Sequence, residues 1–350
     1  MLALALSDEE RLIQETARRF AEDRLLAGLR AHERARGVPP EIAAEFTALG
    51  LDAVELPARL GGQGLGAFAR AIVLEELAAV DPGAAVALDG VGLALPLLVE
   101  GGLEDLVAEV RREPGLRGIV IEDVDAHFRL AQGRIEGEHP WVPADGAAVA
   151  CVFQGARAVV VRDGLALTPL RACGLEAAGA ARLVLARAPV AAIVEDAAAV
   201  ACARARIRTA VAALLVGAAR GALRYATRYA TERTAFGRPI AHHQALAFLI
   251  ADLATAVDAA RLAVWQAAVA LDRGETAEWE AASALAEAAE QALAVGPNAV
   301  QILGGHGFMK DHPVEKWMRD IRTLAQLVGG RDEAELAAAG LAPEHEVGLR

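Results

Sequence analysis

Two long helical patterns meet at Thr231–Gln244, and that join constrains the fold more than any other stretch. It reads Thr-Glu-Arg-Thr-Ala-Phe-Gly-Arg-Pro-Ile-Ala-His-His-Gln. One helical pattern enters it, running from about Ala201 to Thr234. Another leaves it, from about His242 to Arg273, with Leu246, Leu249, Ile250, Leu253, Val257, Ala260 and Val264 on one stripe. Gly237 accepts positive φ without a Cβ clash, and Pro239 cannot continue a helix. An arginine and an aromatic at such a break suit an anion-binding corner. An ordinary helical hairpin carries the same pattern, and spacing does not separate the two.

The rest of the chain arranges itself around that join. A third helical pattern covers about Thr276 to Leu303, contains Pro297, which should kink it, and ends in Gly304-Gly305-His306-Gly307. A fourth covers about Val314 to Leu327, is closed by Gly329-Gly330, and leaves a short charged tail. Toward the N-terminus, Ser7 with Glu10 forms a capping box, and Leu12, Ile13, Ala17, Phe20 and Ala21 keep helical spacing. Further helices are expected over Glu41–Leu49, Phe68–Val80 and Gly83–Glu100. The glycine-rich stretch Pro57–Gly66 contains Gly62-x-Gly64-x-Gly66, whose third glycine comes too early for a dinucleotide fingerprint, so it reads as a surface loop. Near Pro114 the character changes. Gly118–Ile121, Ala147–Phe153, Ala158–Val161 and Arg182–Leu185 are short β-branched runs that read as strands of a small antiparallel unit ending near Ile193. The expected division is 1–115 helical, 116–195 β and 196–350 helical, a mainly α chain with a small central β domain and a C-terminal four-helix bundle.

Composition narrows the classes. Residues are 55% hydrophobic but only 4% aromatic, and alanine supplies much of the apolar content, which favours closely packed helices. The net charge of −12 without a basic block argues against nucleic acid and anionic membrane as partners. Cys151, Cys173 and Cys202 are scattered, as expected for reduced thiols in a cytoplasmic protein. The first ten residues lack a basic n-region, so no signal peptide is expected. Asp89 interrupts the nearest approach to a membrane span. His242, His243 and His306 have no third ligand at metal-site spacing.

Three segments carry a family resemblance. Glu232–Gln244, Gln301-Ile-Leu-Gly-Gly-His-Gly-Phe308 and Pro313-Val-Glu-Lys-Trp-Met-Arg-Asp320 resemble segments of the acyl-CoA dehydrogenases, at fitting spacing. Leu51–Gly66 followed by Glu75-Glu76-Leu77 is similar to the family's N-terminal pattern. The resemblance implies α,β-dehydrogenation of an acyl-CoA thioester, with a carboxylate base and FAD as hydride acceptor. It implies a dimer or tetramer in which FAD is shared across a subunit interface, and an electron-transfer flavoprotein as acceptor. By the family pattern Arg233 reaches the diphosphate of a neighbour's FAD and Phe236 packs on that cofactor. His243, Gln244, Gln301 and the Gly304-Gly305 backbone lie against it, and Arg208 contacts substrate.

The chain departs from the family at the chemistry. The two positions where the family carries its glutamate base are here Val328 and Ile207, neither of which can take a proton. Asp332 and Glu333 lie near the first position, and Glu333 is the replacement candidate if the loop shifts. Asp320, next to Arg319, reads as half of a structural ion pair rather than a catalytic carboxylate. The flavin-holding loop is replaced by Glu122-Asp123-Val124-Asp125, and Pro143 stands where the flavin-contacting threonine of the Trp-Ile-Thr segment would be. Acidic residues repel a diphosphate, and proline lacks a donor. Three readings follow: the base-less partner subunit of a heteromeric dehydrogenase, a self-sufficient homo-oligomer with a relocated base, or a flavin-free acyl-CoA-binding scaffold.

Overall fold

A computed structural model of the chain describes residues 6–90, 92–112 and 117–341. The N-terminal part contains α1 (Asp8–Phe20), α2 (Leu29–Ala35), α3 (Pro40–Ala48), α4 (Gly66–Ala78), α5 (Pro82–Leu88), α6 (Leu95–Glu100) and α7 (Glu104–Arg111). The expected capping box opens α1: Ser7 Oγ accepts from Glu10 N at 3.2 Å, and Glu10 Oε2 accepts from Ser7 N at 2.6 Å. The single helix expected over Gly83–Glu100 is two, α5 and α6, because Asp89 at the end of α5 leaves helical geometry (φ −68°, ψ 93°). The α7 helix was not anticipated. The boundary expected at 115/116, near Pro114, lies outside the described residues.

The middle of the chain forms two four-stranded sheets. One runs β1 (Arg117–Glu122), β4 (Ala147–Gln154), β5 (Arg157–Val161), β8 (Ala192–Val194). The other runs β2 (Phe128–Ala131), β3 (Arg134–Val142), β7 (Ala181–Pro189), β6 (Leu165–Pro169). All neighbours are antiparallel except β1 and β4, which pair in parallel, a departure from the purely antiparallel unit expected. The continuous apolar runs of β4 and β5 have a direct cause. Val149, Cys151, Phe153, Ala158 and Val160 join the main helical core, while Ala150, Val152, Val159 and Val161 face the second sheet. A strand covered on both faces needs no polar alternation. The second sheet has one wet face, so β2 and β3 interleave charged residues and the short β6 (Leu-Ala-Leu-Thr-Pro) is largely exposed, and that is why they were not anticipated from apolar runs.

Asp196 caps α8 (Ala197–Glu232), its Oδ1 accepting from Ala198 N at 2.9 Å and Ala199 N at 3.3 Å. This helix packs against α4, α6, α9 (Gln244–Asp272), α10 (Glu278–Leu303) and α11 (Val314–Leu324). Its contact with α4 is backbone-close. A Cβ on Gly217 would sit 2.3 Å from Glu75 O, and one on Gly221 2.1 Å from Ala79 O, so small residues are obligatory there. Glu75, buried on α4, pairs with Arg220 of α8 and Arg261 of α9, both at 2.6 Å. Pro297 lies inside α10, whose helix is continuous from Glu278 to Leu303. The expected charged tail is instead α12 (Gly330–Leu341), set off from α11 by a short turn at Leu327–Gly329 and packed on α10.

Candidate functional site

The α8–α9 join is a miniature hairpin rather than a simple helix break. The α8 helix ends at Glu232, and β9 (Thr234–Ala235) pairs with β10 (Arg238–Pro239). Phe236 (φ 54°) and Gly237 (φ 78°) are both left-handed, as a two-residue hairpin turn demands. The turn thrusts Phe236 outward, leaving it 95% exposed. Behind it, the His243 ring bridges the hairpin, with Nε2 3.3 Å from Ala235 O and Nδ1 3.2 Å from Arg238 Nη2. Gln244 begins α9 and is exposed.

Arg233, Gln301, Gly304 and Gly305 line one shallow cavity of about 320 Å³, together with Tyr229, Ile240 and His306. Phe236, His243 and Gln244 lie on the adjoining hairpin and helix start rather than in its wall. Arg233 and Gln301 are exposed, and among the described residues Arg233 has no ion-pair partner. Gly304 needs its glycine for conformation (φ 60°, ψ −137°). Gly305 has ordinary φ and nothing within 4 Å of a Cβ, so nothing described in this chain requires glycine there. Tyr229 and His306, hydroxyl to Nδ1 at 2.7 Å, were not anticipated as part of the corner. The available signal was Tyr229 lying one helical turn before Arg233. An open guanidinium over a glycine backbone fits a phosphate-bearing group.

The second candidate region surrounds Val328. A cavity of about 380 Å³ lies between the start of the sheet unit and the turn before α12. Its walls include Glu122, Asp123, Asp125, His127, His139, Trp141, Pro143, Val328, Asp332 and Glu333, with no lysine or arginine. Glu122, Asp123 and His139 are engaged within the chain, while the buried Trp141 Nε1 has no hydrogen-bond partner among the described residues. Glu122 takes two hydrogen bonds from Arg204, at 3.0 and 3.1 Å. Asp123 accepts from His127 N (2.7 Å), Phe128 N (3.2 Å) and Gln154 Nε2 (2.9 Å), consuming backbone donors that an anion would need. Burial lowers the pKa of His139, whose Nδ1 lies 2.6 Å from Trp141 O, so its ring is neutral at pH 7. Pro143 offers no N–H. This lining does not fit the diphosphate of an FAD.

Val328 itself is buried and left-handed (φ 50°, ψ 46°), a conformation that costs a β-branched residue roughly 1–2 kcal/mol. Ile207 is a core residue, 1% exposed. Glu333 lines the acidic cavity with Val328 and packs on Gly329, where a Cβ would meet its Cγ at 2.8 Å. Arg208, which could have been a surface charge, is 4% exposed. Burial lowers its pKa against the opposing pull of Glu122 and Glu333, and its buried Nε has no hydrogen-bond partner. Asp320 is ion-paired with Lys316 at 2.6 Å rather than with its neighbour Arg319, which pairs with Glu33 (2.6 Å) and Glu315 (2.8 Å). The i,i+4 spacing puts Lys316 on the same helical face as Asp320, whereas Arg319 points elsewhere. Lys316 also holds Asp81 at 2.6 Å, in a site with no solvent access. Among the described residues no group of three or more His, Cys, Asp or Glu is placed to hold a metal ion, and no helix is long and apolar enough to cross a membrane.

Comparison with known proteins matches residues 7–110 to the acyl-CoA dehydrogenase N-terminal domain and residues 197–340 to the acyl-CoA dehydrogenase C-terminal domain. The human mitochondrial short-chain specific acyl-CoA dehydrogenase is 28% identical over 380 residues, covering 97% of this chain and 91% of that protein. An acyl-CoA dehydrogenase of Bacillus subtilis is 34% identical over 128 residues, which is 37% of this chain and about a third (34%) of the relative. Butyryl-CoA dehydrogenase of Megasphaera elsdenii has the same fold, with a TM-score of 0.84, 22% identity, and coverage of 97% of this chain and 99% of that one.

Proposed function

We propose that this chain, which belongs to the acyl-CoA dehydrogenase family, acts as the base-less partner subunit of a heteromeric dehydrogenase. FAD, when bound, supplies the hydride acceptor for an acyl-CoA thioester. In this reading the FAD is held by a homologous neighbour, and this chain lends it the outer corner. Arg233 donates its fork to the diphosphate, Gln301 and Gln244 hydrogen-bond beside it, and His243 keeps the hairpin in register. Phe236 covers the cofactor with its exposed ring, and Gly304-Gly305 admits its close approach. The base and the flavin-ring loops come from the neighbour. An electron-transfer flavoprotein as acceptor, a cytoplasmic setting and the division 1–115, 116–195 and 196–350 belong to the same proposal.

The observation that carries it is the opposite chemistry of the two sites. Arg233 is an exposed, unpaired cation at the corner, while the cleft at Val328 is walled by Glu122, Asp123, Asp125, Asp332 and Glu333. The test is the flavin-to-chain ratio of the protein purified alone and with its co-expressed homologous partner. We expect no flavin alone and one flavin per two chains in the complex. A fully flavin-loaded, active isolated chain refutes the proposal. No flavin in any company favours the acyl-CoA-binding scaffold.

A second reading has one specific observation behind it: Glu333 lines the same cavity as Val328. A self-sufficient homo-oligomer would use it as base. Glu333→Gln in a flavin-loaded homo-oligomer should then abolish turnover, and unchanged activity removes the residue from the mechanism.

A further inference from the structure

The resemblance sets the family's base position at Val328, so an acyl group held in this chain's own cleft lies against that residue. Besides the acidic cleft, one other cavity touches Val328. It is walled by Val86, Leu93, Leu214 and Leu327, with Asp89 and Arg117 as its polar groups, and encloses about 30 Å³. That is room for roughly two or three heavy atoms. Asp89 also walls a second void of about 10 Å³, and Glu55 and Leu95 of that void wall a third of about 440 Å³ beside Pro57 and Gln63. The three voids adjoin through shared wall residues, Asp89 between the first and second and Glu55 with Leu95 between the second and third, and Arg70 lines the middle one.

Arg70 is held there from both sides. Its Nη1 donates to Glu55 Oε2 at 2.8 Å, and its Nη2 donates to Asp89 Oδ2 at 2.6 Å and to Gly92 O at 3.1 Å. Arg206 adds a further bond to Glu55 at 2.8 Å. The Arg70 side chain is 6% exposed, that of Glu55 9% and that of Asp89 11%. Burial pulls the pKa of Arg70 down, but Asp89 and Glu55 raise it overall. Burial likewise pushes Glu55 up, but Arg70 and Arg206 lower it overall, so both partners stay charged at neutral pH.

We infer that the Glu55–Arg70–Asp89 clasp is the floor of the acyl cavity and limits this chain's cleft to acyl groups of about four carbons or fewer. The inference rests on the acyl-CoA reading of the cleft. Each methylene buried in an open apolar channel tightens binding roughly fourfold. Parting a buried ion pair costs roughly 150- to 5,000-fold, so the first few methylenes to reach the clasp do not open it.

The test is calorimetric titration of the full chain, with any co-purifying partner, using CoA, acetyl-CoA, butyryl-CoA and octanoyl-CoA. Octanoyl-CoA should bind no tighter than butyryl-CoA. An open channel would make it roughly 200-fold tighter, and that result overturns the inference. Failure to bind any of the four also overturns it, while the flavin-lending reading stands or falls on the flavin ratio. Asp89→Ala removes the wall shared by the first two voids and leaves Arg70 paired with Glu55. It should improve octanoyl-CoA binding at least tenfold while lowering the urea midpoint, because a buried ion pair has lost one partner. Leu93→Ala enlarges the first cavity without touching the ions, and should move the limit out by one or two methylenes even where Asp89→Ala does not fold. A limit unmoved in both variants refutes the clasp as floor.

Discussion

At Arg233 the chain turns an unpaired arginine, a glutamine, two glycines and a bare phenylalanine ring toward solvent. At Val328 it surrounds a buried valine with carboxylates, of which Glu122 and Asp123 accept hydrogen bonds inside the chain. The guanidinium at the corner has no described internal user, whereas Glu122, Asp123 and His139 of the cleft each have one. A surface that holds unpaired polar groups and an exposed aromatic is built for something outside the chain. A cleft walled by carboxylates and holding no lysine or arginine is unsuited to a phosphate group. The difference teaches that two regions of one chain can present opposite chemistry, an open cation at one and a carboxylate-lined wall at the other.

The largest expected effect lies at the corner. Arg233→Ala should weaken flavin retention of the assembled protein by about 10- to 150-fold, the worth of a hydrogen bond to a charged group. As an exposed side chain, its loss should move unfolding free energy by no more than about 0.5 kcal/mol. Bound flavin by absorbance and urea unfolding, measured on one preparation, check the split. Flavin retention that does not change removes the corner from cofactor binding and breaks the comparison.

An intermediate effect belongs to the closed interior. Burial pushes Asp81 upward, but the Lys316 charge overcomes it and lowers the group from 3.8 to about 2. Glu33 and Glu55 are lowered too, where arginines outweigh the upward push of burial. Carboxylates depressed in the folded state add stability above their unfolded pKa and lose it as pH falls through the folded one. Asp81 therefore contributes about 2 kcal/mol that fades between pH 3.8 and about 2. Asp320 shares Lys316 and is raised by burial, so it offsets part of this at neutral pH. Urea midpoints measured from pH 6 downward should fall steeply below about pH 4. A flat profile sinks the account of the ion network.

The smallest effect is at Val328. Val328→Gly relieves a left-handed β-branched residue, worth about 1–2 kcal/mol, and loses side-chain burial of similar size. Stability should change by less than about 1 kcal/mol, well below the usual cost of glycine at a buried valine. A loss of several kcal/mol in chemical denaturation would mean that the valine is held there by packing rather than tolerated.

The long helices, the capping box at Ser7 and the segments around Arg233 and Gln301 were legible because periodicity and turn chemistry are local. So were the apolar side chains at Val328 and Ile207, which need only residue identity. Other features were not local. The partner of Asp320 could not be told from Arg319 next door, because the choice depends on which helical face meets Asp81. The burial of Arg208 depends on what packs over α8, and spacing carries no trace of that. Strands β2, β3 and β6 alternate too weakly to stand out from loops. The α12 helix starts at two glycines that read as an ending.

The sequence by itself determined the mainly helical class, the break at Phe236-Gly237, and the apolar identities of Val328 and Ile207. These follow from backbone preferences and side-chain chemistry that a residue carries wherever it sits. Only the tertiary structure decided that Arg233 and Gln301, 68 positions apart, share one open corner while Arg208 is buried. It alone set Arg70 between Glu55 and Asp89. Such placements depend on which helices pack together, and packing is settled by the sum of contacts over the whole chain rather than by any stretch of it.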